Sequence, residues 1–338
     1  MQAPELSPSP DTERERKLLA WWEGYDPDSS KDRSPASADT RPAPIALPRP
    51  PATSTIRPAP PSALDRAVEA ELRSIESRQL GRSGAPVWSV ERVCGAERLW
   101  GSGYTGPGDA AWIRDATRPF RLCPEKAVLD LTAALGGSAK AIVMAYGSLV
   151  TGLESSPLLS HLGAHHCDEP RLRDKITVAW YDPNDLQHSR RYDLVMADTL
   201  LYRLADKGKF LKGVAHCLKP GGALLLHDFF LSGHTPQPQL IDAWHDGEPV
   251  RIHPCTAKAL VQEFPRHGLA VCGTQDMTAV YRRLIVQQAR QLALTLDSAP
   301  APPRTRSGLA TELSLWRARV QALGHGLSFC RIAAVKQA

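Results

Sequence analysis

From residue 127 onward, short apolar runs alternate with amphipathic stretches of helical period, which predicts a mostly parallel sheet covered on both faces by helices. The runs AVLDL (127–131), SLVTGLE (148–154), KITVAWYD (175–182), YDLVMAD (192–198) and GALLLHDF (222–229) read as strands, with helices near 136–146, 155–165 and 199–217 between them. In LKPGG (218–222), Pro220 and two glycines stop the last of these helices and turn the chain into the next strand. LAVCGTQ (269–275) and LSFCRIAAV (327–335) read as two final strands forming a hairpin-like edge, separated by amphipathic helices at 277–296 and 308–323. The expected fold class is therefore α/β, with a doubly wound, mostly parallel, seven-stranded Rossmann-like sheet.

The pattern is different upstream. Fourteen of the 29 prolines fall in residues 1–86, where apolar residues are sparse, so little surface can be buried to offset ordering entropy. Residues 1–62 read as a disordered Pro-rich tail, 63–86 as a helical linker and 87–338 as the folded domain. One interruption stands out: DTERERKLLAWWEGY (11–25) places Leu18, Trp22 and Tyr25 on one helical face, with Asp11 and Thr12 to cap it and Gly24 to end it. Such a helix either folds back onto its own domain or docks into a groove on a protein partner.

Composition narrows the function classes. The net charge of +5 arises in the folded part, yet its basic residues form no stripe, which argues against nucleic acid. Seven cysteines scattered singly, without a CxxC, suit a reducing cytoplasm better than a disulfide framework. No apolar leader core or 18-residue apolar run is present, so neither secretion nor a membrane span is expected. The cluster His161, His165, His166, Cys167 and Asp168 lacks a second ligand pair, and no metal is expected.

The order of motifs resembles class I S-adenosylmethionine-dependent methyltransferases over roughly residues 90–338: VLDLTAALGG, VTGLESSP, YDP, YDLVMADTLLYRL and LKPGGALLLHDFF follow one another in register. The resemblance implies a cofactor turn after the first strand, where backbone amides and a helix N-terminus face the ligand's carboxylate. It places Asp130, Thr132, Ala134 and Gly136 in that turn, Glu154 on the ribose hydroxyls, Asp182 by the adenine edge and Asp198 between cofactor and acceptor. The segment ERLWGSGYTGPGD (97–109) is similar to the lead-in of enzymes methylating small amines, among them the phosphoethanolamine and glycine/sarcosine groups. That similarity implies a lid lined by Trp100, Tyr104, Thr105 and Gly106.

The chain departs from the family in two places. Thr132 and Ala134 stand where glycine is commonest, which would cost roughly 1 kcal/mol or more if the position needs positive φ and less if it needs only closeness. In the phosphobase enzymes a His follows the fourth strand, whereas here Tyr202 occupies that position and Phe229 replaces a Tyr after the fifth. Acid–base candidates are His227 and Asp228 at the fifth strand's C-terminal end, with Tyr202 and Asp198 beside them. The reading implied is methyl transfer from S-adenosyl-L-methionine to an N or O atom of a small polar acceptor. The alternative is a non-catalytic methyltransferase-fold protein acting in regulation or scaffolding through its N-terminal tail.

Overall fold

The computed structural model describes residues 63–233, 236–298 and 300–337, so the expected helix at 11–25 and its tail lie outside the described residues. Helices α1 (Ala63–Glu76), α2 (Val90–Trp100) and α3 (Ala110–Thr117) precede the sheet. Then β1 (Ala127–Asp130), α4 (Gly137–Tyr146), β2 (Leu149–Glu154), α5 (Pro157–Cys167), β3 (Ile176–Trp180) and β4 (Tyr192–Asp198) alternate. They are followed by α6 (Lys207–Cys217), β5 (Leu218–Leu231), α7 (Pro238–Gly247), α8 (Ala257–Glu263), β6 (Leu269–Asp276), α9 (Thr278–Ser298), α10 (Pro303–Ala322) and β7 (Leu327–Lys336).

The seven strands form one sheet in the order β3-β2-β1-β4-β5-β7-β6, a Rossmann-like arrangement. The first five strands pair in parallel, and β7 runs antiparallel between β5 and β6. β6 and β7 are thus adjacent as expected, but they are not a hairpin: α9 and α10 intervene, and β7 makes a nine-residue ladder with β5 from Ala223↔Val335 to Leu231↔Leu327. The order reverses at β1, with β2 on one side and β4 on the other. That leaves a crevice at the carboxyl ends of the parallel strands.

Local chemistry sets the element boundaries. Ser89, Asp109, Ser156, Asp206 and Thr256 cap α2, α3, α5, α6 and α8 through side-chain oxygens that accept first-turn amides. The helix expected across 199–217 is two pieces. Thr199 has φ +50, Leu201–Arg203 forms a 3-10 turn, and α6 starts only after the Asp206 cap. The strand expected to begin at Gly222 begins at Leu218, where Leu218 pairs with Tyr192 and Gly221 (φ +73) gives the irregularity before Ala223.

One face of the sheet packs Leu129, Val195 and Leu224 against α6 and the 3-10 turns; the other packs Val128, Leu194 and Leu225 against α3 and α4. A separate apolar layer joins α2, α7, α9 and α10 around Trp100, Trp244, Tyr281 and Trp316. It covers the β5–β7 end of the sheet and closes one side of the crevice. Its helices approach closely at Gly95 and Gly308, because a Cβ on Gly308 would collide with the Glu91 carbonyl and one on Gly95 with the Gly308 backbone. Among the described residues, no helix is long and apolar enough to cross a membrane.

Candidate active site

A cavity of about 450 Å³ opens at the carboxyl ends of β1, β2, β3 and β4. At the end of β1, the Asp130 carboxylate accepts hydrogen bonds from the Thr132 amide at 3.0 Å, the Thr132 hydroxyl at 3.3 Å and the Ser138 hydroxyl. Burial raises the pKa of Asp130, and those three bonds oppose the rise. The Thr132 hydroxyl also accepts the Asp198 amide at 3.0 Å, so this side chain ties the β1 turn to the end of β4. A glycine could not make that tie.

Ala134 does occupy the left-handed region, at φ +47, whereas Thr132 does not. The strain at Ala134, about 1 kcal/mol, coincides with a specific bond: its amide donates to Glu154 Oε2 at 2.9 Å. Glu154 Oε1 accepts the Ser156 amide at 2.8 Å and the Ser155 hydroxyl at 3.3 Å. Burial raises the Glu154 pKa against these bonds. Gly136, at φ +85, starts α4 and lies against the Cys167 sulfur, behind the cavity wall.

The 101–108 segment docks on this turn. The Gly137 amide donates to the Gly103 carbonyl at 3.0 Å, and the Tyr104 hydroxyl donates to the Gly137 carbonyl at 3.2 Å. The backbones meet so closely that a Cβ on Gly137 would strike both the Gly103 carbonyl and the Tyr104 ring. Burial pushes the Tyr104 phenol up to about 12. Tyr104, Thr105 and Gly106 line the cavity, whereas Trp100 packs against Trp316 at 5.0 Å in the helical layer.

Asp182 is exposed at the cavity mouth and organises its own turn by accepting the Asn184 amide at 2.9 Å. Asp198 closes β4, and its carboxylate has no hydrogen-bond partner among the described residues; His227 Nδ1 is 3.8 Å away. Burial, then the charges of Asp228 and Asp130, hold the Asp198 carboxyl well above its ordinary range.

The remaining acid–base candidates stand behind the wall. His227 Nε2 accepts a hydrogen bond from Arg331 Nε at 2.9 Å, which puts any neutral-ring proton on Nδ1. Burial and the Arg331 charge push His227 down to about 3. Asp228, raised to about 6 by burial, accepts the amides of Leu200 at 3.1 Å and Phe229 at 2.7 Å. The Tyr202 hydroxyl donates to Glu248 Oε2 and accepts from Arg203 Nε and Arg319 Nη2, each at 3.0 Å. Phe229 is buried against the Tyr202 ring.

The structure thus brings Tyr104, Thr105, Asp130, Thr132, Ala134, Glu154, Asp182 and Asp198 to one cavity and leaves Gly136, Tyr202, His227 and Asp228 out of its wall. Sequence reasoning missed wall residues on the helices, notably Trp112 on α3, Tyr281 on α9, and Trp316 and Arg319 on α10. Their spacing in the sequence shows only an apolar helical face, which a buried core also produces. His161 and His165 meet edge to face on α5 with ring centroids 4.9 Å apart, and no group of three metal-ligating side chains occurs among the described residues.

Comparison with known proteins agrees with this geometry. Residues 111–272 match the family model described as a methyltransferase domain. The chain is 26% identical over 149 residues to phosphoethanolamine N-methyltransferase 1 of Zea mays, covering 42% of this chain and 28% of that protein. It is 28% identical over 123 residues to demethylmenaquinone methyltransferase of Tropheryma whipplei, covering 36% of this chain and 49% of the relative. These alignments span about a quarter to a half of the relatives' lengths. Among solved structures, phosphoethanolamine N-methyltransferase 2 of Haemonchus contortus superposes with a TM-score of 0.65 at 16% identity, covering 74% of this chain and 58% of that one. The 4+2 cyclase SpnF superposes with a TM-score of 0.57 at 15% identity, covering 72% and 92% of the two chains. With its sheet order and acidic strand ends, and with residues 111–272 matching a methyltransferase domain, the chain has the fold of class I S-adenosylmethionine-dependent methyltransferases.

Proposed function

We propose that the protein binds S-adenosyl-L-methionine in this cavity and transfers its methyl group to an N or O atom of a small polar acceptor. The observation that carries the reading is the convergence of Asp130, Thr132, Ala134, Glu154, Asp182 and Asp198 on one cavity at the sheet's topological switch point. A volume of about 450 Å³ is in the ordinary range for a small-molecule site.

The residues fit the cofactor. In the first turn of α4 the Ser138 amide has no acceptor among the described residues, so a helix N-terminus is open to a carboxylate. Glu154 keeps lone pairs beyond its three protein bonds for ribose hydroxyls, and Asp182 stands at the mouth for the adenine edge. The cofactor, when bound, supplies an electrophilic methyl group. The chain's own task is then alignment and exclusion of water, which together provide much of the acceleration in such a reaction.

Asp198 faces the cavity and is assigned the acceptor side. A carboxyl with a raised pKa and no fixed partner can accept a proton or a hydrogen bond from an incoming amine or hydroxyl. His227 and Asp228 act behind it, the first presenting Nδ1 toward Asp198 and the second holding the Leu200–Leu201 turn in place. Tyr202, with its hydroxyl enclosed by Arg203, Arg319 and Glu248, is assigned a structural role.

Isothermal titration of the full chain with S-adenosylmethionine and S-adenosylhomocysteine tests the reading. Saturable heat is expected from wild type, with affinity at least about tenfold weaker in Glu154→Gln, as expected when one charged hydrogen-bond acceptor is lost. An absence of heat at high micromolar wild-type protein would overturn it.

A further inference from the structure

Tyr281 is an almost fully enclosed polar side chain on the cavity wall. The residue is 1% exposed, and its ring stacks on Phe329 with centroids 3.6 Å apart and planes 4° apart. The start of α9 is tied to β7 from both sides: the Met277 amide donates to the Phe329 carbonyl at 2.8 Å, and the Phe329 amide donates to Thr278 Oγ1 at 2.9 Å. The ring therefore has one place to be. Its hydroxyl nevertheless has no hydrogen-bond partner among the described residues and is not among the sealed, unsatisfied polar atoms, so the accessible tip of this buried side chain opens into the cavity.

Three further residues of the cavity wall act on Tyr281. Trp112 and Trp316 flank Tyr281 at 6.1 and 6.3 Å and also line the cavity. Asp198 presents its unpartnered carboxylate there, and after burial it is the largest influence raising the Tyr281 phenol. An enclosed hydroxyl without a protein partner is costly unless a ligand supplies the missing bond.

We propose that Tyr281 is an acceptor-site residue: its hydroxyl and the Asp198 carboxylate together hydrogen-bond the atom that receives the methyl group, inside a wall formed by Trp112 and Trp316. The proposal rests on the cofactor reading above. It assigns acceptor recognition to the segment inserted between β6 and β7 rather than to the motif-bearing strand ends alone.

Sinefungin carries an amino group where the reactive methyl stands, so it places a nitrogen at the transfer point without a separate acceptor. Titrations of the full chain with sinefungin and with S-adenosylhomocysteine are compared between wild type and Tyr281→Phe, which keeps the ring stack. The expected result is an unchanged S-adenosylhomocysteine affinity and a loss of about ten- to a hundredfold in sinefungin affinity, the size of one hydrogen bond to a charged group. Asp198→Asn should lower the same ratio. Equal sinefungin affinity in wild type and Tyr281→Phe would overturn the assignment while leaving the cofactor reading intact, and so would an equal weakening of both ligands. Failure of wild type to bind S-adenosylhomocysteine would overturn the cofactor reading and the assignment with it.

Discussion

Ala134 and Thr132 answer differently to the absence of glycine. Thr132 has an ordinary backbone, and its hydroxyl bridges Asp130 and the Asp198 amide, whereas Ala134 carries the left-handed strain and uses its amide to hold Glu154. Ala134→Gly should therefore raise stability slightly, by less than about 1 kcal/mol, because relief of strain exceeds the added freedom of the unfolded chain. Urea unfolding measures it, and Thr132→Gly in the same assay should be destabilising. His227 gives a pH signature. Its folded pKa lies near 3, below the ordinary 6.5, so the fold favours the neutral ring. Stability from this group is full above 6.5 and is lost as pH falls toward 3, at up to about 1.4 kcal/mol per pH unit. The raised carboxyls of Asp198 and Asp228 pull the other way, taking up protons on acidification. Comparing wild type with His227→Gln between pH 7 and 5.5 isolates the histidine: the variant should lose less stability over that interval.

At the scale of elements, the helical layer depends on close approach. α2 and α10 cross where Gly95 and Gly308 present bare backbone, so Gly308→Ala should force the helices apart and cost about 1–3 kcal/mol in thermal or urea unfolding. The strands were legible because buried parallel strands read as apolar runs; β1 is buried throughout. The segment after β4 was not. DTLLYRL has a helical apolar period, but Asp228 takes the Leu200 and Leu201 amides from β5, a residue 27 or 28 positions away, and a 3-10 turn forms instead. α7 and α8, in the stretch after β5, carried no family pattern to announce them.

At the scale of the whole molecule, a buried ion pair joins α10 to the end of α7 and, through the Tyr202 hydroxyl, ties both to the turn after β4. Arg319 on α10 donates to both oxygens of Glu248, each at 2.8 Å, and Glu248 also accepts from Trp244 at 2.9 Å and Tyr202 at 3.0 Å. Glu248→Gln leaves the Arg319 charge buried and uncompensated, so a loss of about 3–5 kcal/mol is expected in urea unfolding. Both Arg319 and Trp316 reach the cavity, so the damage should extend to ligand affinity.

The sequence by itself determined the α/β class, the seven strands and the acidic positions at their ends, because those depend on local period, turn chemistry and spacing along one chain. Only the tertiary structure decided that β7 inserts beside β5, that Asp198 faces the cavity while His227, Asp228 and Tyr202 sit behind it, and that Trp112 and Tyr281 complete the wall. Those facts depend on contacts between segments far apart in the chain. In its own helix Tyr281 is one more apolar-face residue; Phe329 and Asp198, 48 and 83 positions away, make it part of a site.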